Sequence, residues 1–269
     1  MEYGSIGQNM TYSYSKIIHE ALGAYPYELR SLEAEELNAL LESRDFKGLS
    51  VTIPYKKTVI PYCDHLSQLA AEIGAVNCLY FDEDHELHGT NTDYTGFLYA
   101  IDTAGISVRG RKVVILGNGA TCQTIKKAVT DRGASELVVA SRKVETSFET
   151  SAGSSTCLMV NYEGLCDHAD AEIIINATPV GMYPSVSDCL IDLKAFPCCK
   201  GVFDVIYNPY YTALIKQAVD LDIPFASGLS MLVAQATAAA GYFTGKGSFY
   251  EKENERIISM LKREFVQNN

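Results

Sequence analysis

Residues 112–132 constrain the fold more than any other stretch. Lys112-Val113-Val114-Ile115-Leu116 is an apolar run of strand length. Gly117-Asn118-Gly119-Ala120-Thr121-Cys122 follows directly and opens a helix running to Arg132. A buried strand, a glycine turn and a helix in that order make the phosphate-binding corner of a Rossmann-type dinucleotide site. Gly117 permits the tight turn, and Gly119 lets a pyrophosphate approach the backbone at the helix N-terminus. The third small position of the pattern is Cys122, where glycine or alanine is usual. The next strand, Glu136 to Ala140, ends in Ser141-Arg142-Lys143, with Glu145 close by. An acidic residue at that strand end takes the ribose 2′-hydroxyl of NAD, whereas a basic pair suits the 2′-phosphate of NADP. The competing reading of Arg142 and Lys143 is a pair of solvated loop charges.

The rest of the chain repeats the strand–helix alternation and therefore reads as α/β. Strands are predicted at Tyr3–Gly7, Tyr27–Leu32, Gly48–Ile53, Ala75–Tyr80, Glu86–Gly89, Cys157–Val160, Glu172–Ala177, Gly201–Ile206 and Pro224–Ala226. Helices are predicted after Ser13-Tyr14-Ser15, over Glu33–Glu42 and Leu66–Ile73, from Asp93 to Ala104, over Thr212–Asp220, after Gly228 to Phe243, and over Tyr250–Val266. Thr146–Thr156, rich in Ser, Thr and Gly, reads as a loop. Residues 105–112 read as a polar linker.

Lys and Arg number 22 against 33 Asp and Glu, a net charge of −11. That balance disfavours nucleic acid and anionic membrane surfaces as partners. No apolar run reaches transmembrane length, and the N-terminus lacks the basic and apolar regions of a signal peptide. The eight cysteines form no CxxC pair and read as reduced thiols of a cytoplasmic protein. His85 and His88 share a predicted hairpin, Phe81 to Gly89, without an evident third ligand, so no metal is expected.

One polar stretch in the first half carries chemistry. The strand ending at Val51-Thr52-Ile53 should point Val51 and Ile53 to one face and Thr52 to the other. Pro54 stops it, and Lys56 stands just past its carboxyl end, where open α/β sheets bind ligands. A lysine held there can give or take a proton. Asp93 opens a later helix, either as a cap or as a partner for Lys56. Ser13 and Ser15, with a helix N-terminus, can cap that helix or receive a carboxylate.

Eight motifs in order now carry a family resemblance. They are Ser13-x-Ser15, Val51-Thr52-Ile53-Pro54-Tyr55-Lys56, Ile73-Gly74-Ala75-Val76-Asn77, Asn91-Thr92-Asp93-x-x-Gly96, Gly117-x-Gly119-Ala120, Asn176-Ala177-Thr178-x-x-Gly181-Met182, Asp204-Val205-Ile206-Tyr207-Asn208-Pro209 and Gly228-x-x-Met231-Leu232-x-x-Gln235-Ala236. The chain resembles shikimate dehydrogenase along nearly its whole length. The resemblance implies a substrate domain of residues 1–104 with 236–269, a doubly wound NADP domain of 105–235, and a cleft between them. It implies reversible reduction of 3-dehydroshikimate to shikimate, a step of aromatic amino acid biosynthesis, in a monomer or homodimer. On this resemblance Lys56 and Asp93 are the acid/base pair. Ser13, Ser15 and Tyr207 would hold the substrate carboxylate, and Thr52, Asn77, Asp93 and Gln235 its ring hydroxyls. Gly117, Asn118, Gly119, Ala120, Ser141, Arg142, Lys143, Thr178, Met182, Gly228 and Met231 would face the cofactor. The chain departs from the family pattern at Tyr12, Ser50, Ala120 and Ser141-Arg142-Lys143, and it has no tryptophan. The alternatives are a paralogue acting on quinate or an aminated analogue with NAD or NADP, and a nucleotide-binding sensor of the same fold.

Overall fold

The computed structural model describes residues 2–8, 10, 13–142, 144, 147–150 and 156–267. The chain divides into two compact units. The first comprises residues 1–96 and 232–257, the second 97–231 and 258–269, so the three divisions fall inside three helices.

The first unit contains β1 (Tyr3–Gly7), α1 (Tyr14–Leu22), β2 (Glu28–Ser31), α2 (Ala34–Ser43), β3 (Gly48–Val51), β4 (His65–Leu66), α3 (Gln68–Ile73), β5 (Cys78–Phe81), β6 (Leu87–Thr90) and the start of α4 (Thr92–Thr103). Its helices begin and end where the local chemistry directs. Ser13 caps α1 through its side chain and Gly23 ends it at φ 65°. Ser67 caps α3, and Gly74 closes it at φ 70°. Such left-handed closures are cheap for glycine. The sheet runs β2-β1-β3-β5-β6-β4. β1 is parallel to both β2 and β3, while β5 is antiparallel to β3 and β6. Carboxyl ends of β1, β3 and β6 and the amino end of β5 therefore share one sheet edge.

Ile6, Leu37, Leu41, Leu49, Val51, Val76, Leu79 and Leu87 pack together in one core. A second cluster holds Tyr27, Cys78, Ala239 and Phe243. Gly48 is glycine because a Cβ there would lie 2.4 Å from the Phe243 ring.

The second unit carries β7 (Lys112–Leu116), α5 (Ala120–Asp131), β8 (Glu136–Ala140), β9 (Ser147–Thr150), β10 (Thr156–Val160), β11 (Ile173–Asn176), β12 (Gly201–Asp204), α6 (Ala213–Asp220), β13 (Phe225–Ser227) and the start of α7 (Gly228–Phe243). α8 (Asn254–Gln267) is divided between the units. The sheet order is β13-β12-β11-β7-β8-β10-β9, parallel except for β9. Leaving out β9, this is the doubly wound order, with the topological switch between β7 and β11. Val113 to Leu116 and Ile173 to Ile175 are buried at every position, because a parallel sheet is covered on both faces.

Three expectations need correction. β3 ends at Val51, and Ile53 is 67% exposed, because the chain turns at once: the Tyr55 N–H donates to the Thr52 carbonyl at 2.9 Å. Ser147–Thr150, expected as loop, is a strand antiparallel to β10; the remainder of that expected loop, Thr146 and residues 151–155, lies outside the described residues. Gly247–Glu253 is a 3₁₀ turn, so the terminal helix starts at Asn254 and not at Tyr250.

Candidate active site

The first unit gathers Thr52, Lys56, Asn77 and Asp93 at one sheet edge through strand register. Ser50 pairs with Cys78, and Cys78 with Thr90. Asn77 thus precedes β5 beside the end of β3, and Asn91 to Asp93 leave β6 beside Asn77. The Lys56 carbonyl accepts from Val76 N–H at 2.8 Å, which ties the loop after β3 to the same edge. Lys56 Nζ donates to Asp93 Oδ2 at 2.5 Å, and the two side chains are only 16% and 13% exposed. Asp93 does not cap α4. Asn91 does, accepting from Tyr94 N–H at 3.3 Å while its amide donates to the Ala75 carbonyl at 3.0 Å.

Asn77 is locked by Thr92. Its Oδ1 accepts from Thr92 N–H at 2.6 Å, and its Nδ2 donates to Thr92 Oγ1 at 3.1 Å. The amide oxygen is therefore occupied, and what Asn77 can offer a ligand is an N–H donor. Asn91 and Thr92 carry one signal in the sequence beyond their motif, two polar residues just ahead of Asp93. Ser13 Oγ accepts from Ser15 N–H at 3.2 Å, the capping bond, which leaves the Ser13 hydroxyl free to donate. Gln235 is 9% exposed, and its Nε2 donates to the Leu232 carbonyl at 2.9 Å. Gly7 makes room for Thr52, since a Cβ there would come within 2.4 Å of Thr52 Cγ2. Ser50, a departure from the family pattern, is buried with its hydroxyl unpartnered among the described residues.

In the second unit the expected residues lie at the carboxyl edge of the parallel sheet. Gly117 adopts φ 101°, and a Cβ on it would strike Thr178 Cγ2 at 2.6 Å. Gly117 and Thr178 thus meet across the switch between β7 and β11. Thr178 is fixed in turn, its N–H and hydroxyl both donating to Asn176 Oδ1 at 3.0 and 2.7 Å. Asn176 Nδ2 donates to Asp204 Oδ1 at 3.0 Å. Asp204 is fully buried and also accepts from Ile206 N–H at 3.0 Å and the Thr212 hydroxyl at 2.7 Å. Burial pushes its carboxyl up to about 6 against those bonds. Asn176 and Asp204 were legible only as polar residues at apolar strand ends.

Gly119 flanks the start of α5, and nothing lies within 4 Å of where its Cβ would stand. Asn118 Oδ1 accepts from Gln123 Nε2 at 3.1 Å, and Ala120 begins α5. Ser141 N–H donates to the Val160 carbonyl at 2.9 Å. Arg142 is exposed; Lys143, like Tyr12 and Glu145, lies outside the described residues. Met182 is 45% exposed and Met231 is 7% exposed. Tyr207 follows β12, its ring 6.1 Å from Phe265.

Gly228 has a packing reason of its own. A Cβ there would lie 1.9 Å from the Val205 carbonyl oxygen. Gly228→Ala is therefore expected to cost about 1–3 kcal/mol, because backbone must move. Chemical denaturation checks this, and an unchanged midpoint would show that the β12–α7 junction yields without cost.

Among the described residues no group of three His, Cys, Asp or Glu side chains is placed to hold a metal. His65 and His88 instead pair with Glu86 and Asp82, at 2.5 and 2.8 Å.

The sequence profile for the shikimate dehydrogenase substrate binding domain matches residues 5–79. A shikimate dehydrogenase (NADP(+)) of Clostridium beijerinckii is 35% identical, over 98% of this chain and 98% of its own. This chain belongs to the shikimate dehydrogenase family. The shikimate dehydrogenase fold extends through both units: a chorismate mutase/shikimate 5-dehydrogenase fusion protein from Clostridium acetobutylicum superposes with a TM-score of 0.89 at 29% identity, covering 98% of each chain. The shikimate 5-dehydrogenase from Thermus thermophilus, solved in complex with NADP(H) and shikimate, superposes with a TM-score of 0.78 at 27% identity, covering 95% of this chain and 97% of that one. As expected for this family, the architecture is α/β with a doubly wound sheet in the second unit.

Proposed function

We propose that this chain is an NADP-dependent shikimate dehydrogenase of the cytoplasm, reversibly reducing 3-dehydroshikimate to shikimate in aromatic amino acid biosynthesis. The observation that carries the reading is the Lys56–Asp93 pair, largely buried at a sheet edge beside a fixed Asn77. The first unit binds the polyhydroxy acid, and the second binds the dinucleotide. All eight cysteines are free, which fits a reducing compartment.

The residues of the second unit fit a dinucleotide. Gly119 leaves open space at the N-terminus of a twelve-residue helix, where free N–H groups and the helix dipole favour a pyrophosphate. When bound, the nicotinamide supplies or accepts the hydride. Reduction builds negative charge on the substrate oxygen. The Lys56 ammonium stabilises that charge and gives up a proton to it. Asp93 holds the ammonium in place and accepts a hydrogen bond from a ring hydroxyl. Asn77 can only donate, so it reads the lone pair of a hydroxyl whose own proton points elsewhere. A site of such fixed polarity rejects deoxy analogues. Ser13 and Ser15 offer hydroxyls at the start of α1, where a carboxylate is favoured. Thr52 and Gln235 bond the remaining hydroxyls. Gly117, Asn118, Gly119, Ala120 and Thr178 line the pyrophosphate side, Ser141 and Arg142 the 2′-phosphate, and Met182, Gly228 and Met231 the nicotinamide.

The test is the near-ultraviolet absorbance of reduced nicotinamide, followed with shikimate or quinate and with NADP⁺ or NAD⁺. Rapid reduction with shikimate and NADP⁺ is expected. Activity with quinate alone would move the assignment to a paralogue, and silence with ligand-induced thermal shifts would favour a sensor. Arg142→Ala should weaken NADP⁺ roughly tenfold or more and spare NAD⁺, because a charge-assisted bond to the phosphate is lost. Equal loss for both cofactors, measured by KM, would remove Arg142 from that role.

A further inference from the structure

β8 and β10 run parallel with Val138, Val139 and Ala140 opposite Leu158, Met159 and Val160. The pairing continues one step past the strands through the Ser141 N–H and the Val160 carbonyl. The two chains therefore leave the sheet edge in step. Arg142 stands two residues beyond Ala140, and Tyr162 two residues beyond Val160. Tyr162 immediately precedes the 3₁₀ turn Glu163–His168, which fixes its backbone. Its ring is half-buried against the cluster that includes Val138, Ala140, Val160 and Leu165. A tyrosine so placed keeps an apolar body inside and its hydroxyl at the rim. Neither the Tyr162 hydroxyl nor the Arg142 guanidinium has a hydrogen-bond or ion-pair partner among the described residues. Burial raises the Tyr162 pKa and the guanidinium opposes that rise, so the phenol is protonated and able to donate at neutral pH.

We propose that Tyr162 is a second reader of the cofactor's 2′-phosphate, its hydroxyl donating to a phosphate oxygen beside the Arg142 guanidinium. The assignment rests on the NADP reading above and deepens it. A phosphomonoester at this edge meets one charged donor and one neutral donor from adjacent strand ends. A ribose hydroxyl in its place leaves the pair without its phosphate acceptor.

The experiment is calorimetric titration of the wild-type protein, Tyr162→Phe and Arg142→Ala with 2′,5′-ADP and with 5′-AMP. Tyr162→Phe keeps the packed ring, so the fold survives. It is expected to weaken 2′,5′-ADP roughly five- to tenfold, the value of one hydrogen bond, and to leave 5′-AMP unchanged. Unchanged affinity for 2′,5′-ADP, or equal weakening of both ligands, overturns the assignment while the NADP reading stands on wild-type preference for 2′,5′-ADP. Wild-type protein that binds both ligands alike overturns the NADP reading and this assignment with it.

Discussion

Lys56→Ala is expected to lower shikimate turnover by about two to four powers of ten, while KM for shikimate changes far less. The ammonium is needed when charge develops on the substrate oxygen, so its loss falls on kcat. On the proposed reading, ground-state binding is spread over Ser13, Ser15, Thr52, Asn77 and Gln235, none of which the substitution touches. Asp93 keeps its backbone position, because Asn91 and Thr92 hold the start of α4 independently of Lys56. Steady-state kinetics with shikimate and NADP⁺ decide the matter, with 2′,5′-ADP affinity as a control for intact folding. Turnover within a few-fold of wild type would make Lys56 a bystander.

The largest stability effect is expected at Asp204. Asp204→Ala leaves Asn176 Nδ2, Ile206 N–H and the Thr212 hydroxyl without their acceptor in a buried place, and should cost about 2–4 kcal/mol. Asp204→Asn should cost much less. An amide oxygen can replace Oδ1, and its N–H₂ can donate to Thr212 Oγ1, which also accepts from Ile215 N–H. The pair of variants also separates in pH. Asp204 titrates near 6 in the folded chain and near ~3.9 when unfolded. Between those values the folded protein holds a proton that the unfolded chain has lost, so stability falls as pH rises from about 4 to about 6 and then levels. The drop is on the order of 2–3 kcal/mol, and Asp204→Asn should abolish it. Parallel wild-type and Asp204→Asn curves in urea denaturation across that range would show that Asp204 is not the titrating group.

Much of this architecture was legible because its signals are local. Tyr3–Gly7 and Lys112–Leu116 form strands at the predicted bounds. The glycine turn announced α5, and Gly74 announced the end of α3. Alternation failed at Ile53, where a hydrogen-bonded turn overrode the period-two pattern. β9 was missed because Ser147-Phe148-Glu149-Thr150 offers only one apolar residue, and its strand state comes from pairing with β10. At the site, Lys56 and Asp93 were readable from position, one after a strand and the other at the start of a helix. The lock of Thr92 on Asn77 was not, since it depends on Cys78 lying opposite Thr90. The same holds for Asn176 and Asp204, which become partners only through the β11–β12 register.

The first unit is assembled from two separated stretches of chain, and this bears on how the protein is made. A ribosome releases residues 1–96 with Lys56 and Asp93 already present, then spends residues 97–231 on the second unit before reaching the rest of α7. At roughly 5–20 residues per second that interval lasts several seconds or longer. Throughout it Gly48 and the Tyr27 cluster lack Phe243 and Ala239, so one apolar face of the growing sheet is bare. The nascent chain is thus a natural client for chaperones until its last forty or so residues emerge, and Lys56 and Asp93, the proposed acid/base pair, are both translated long before Gln235.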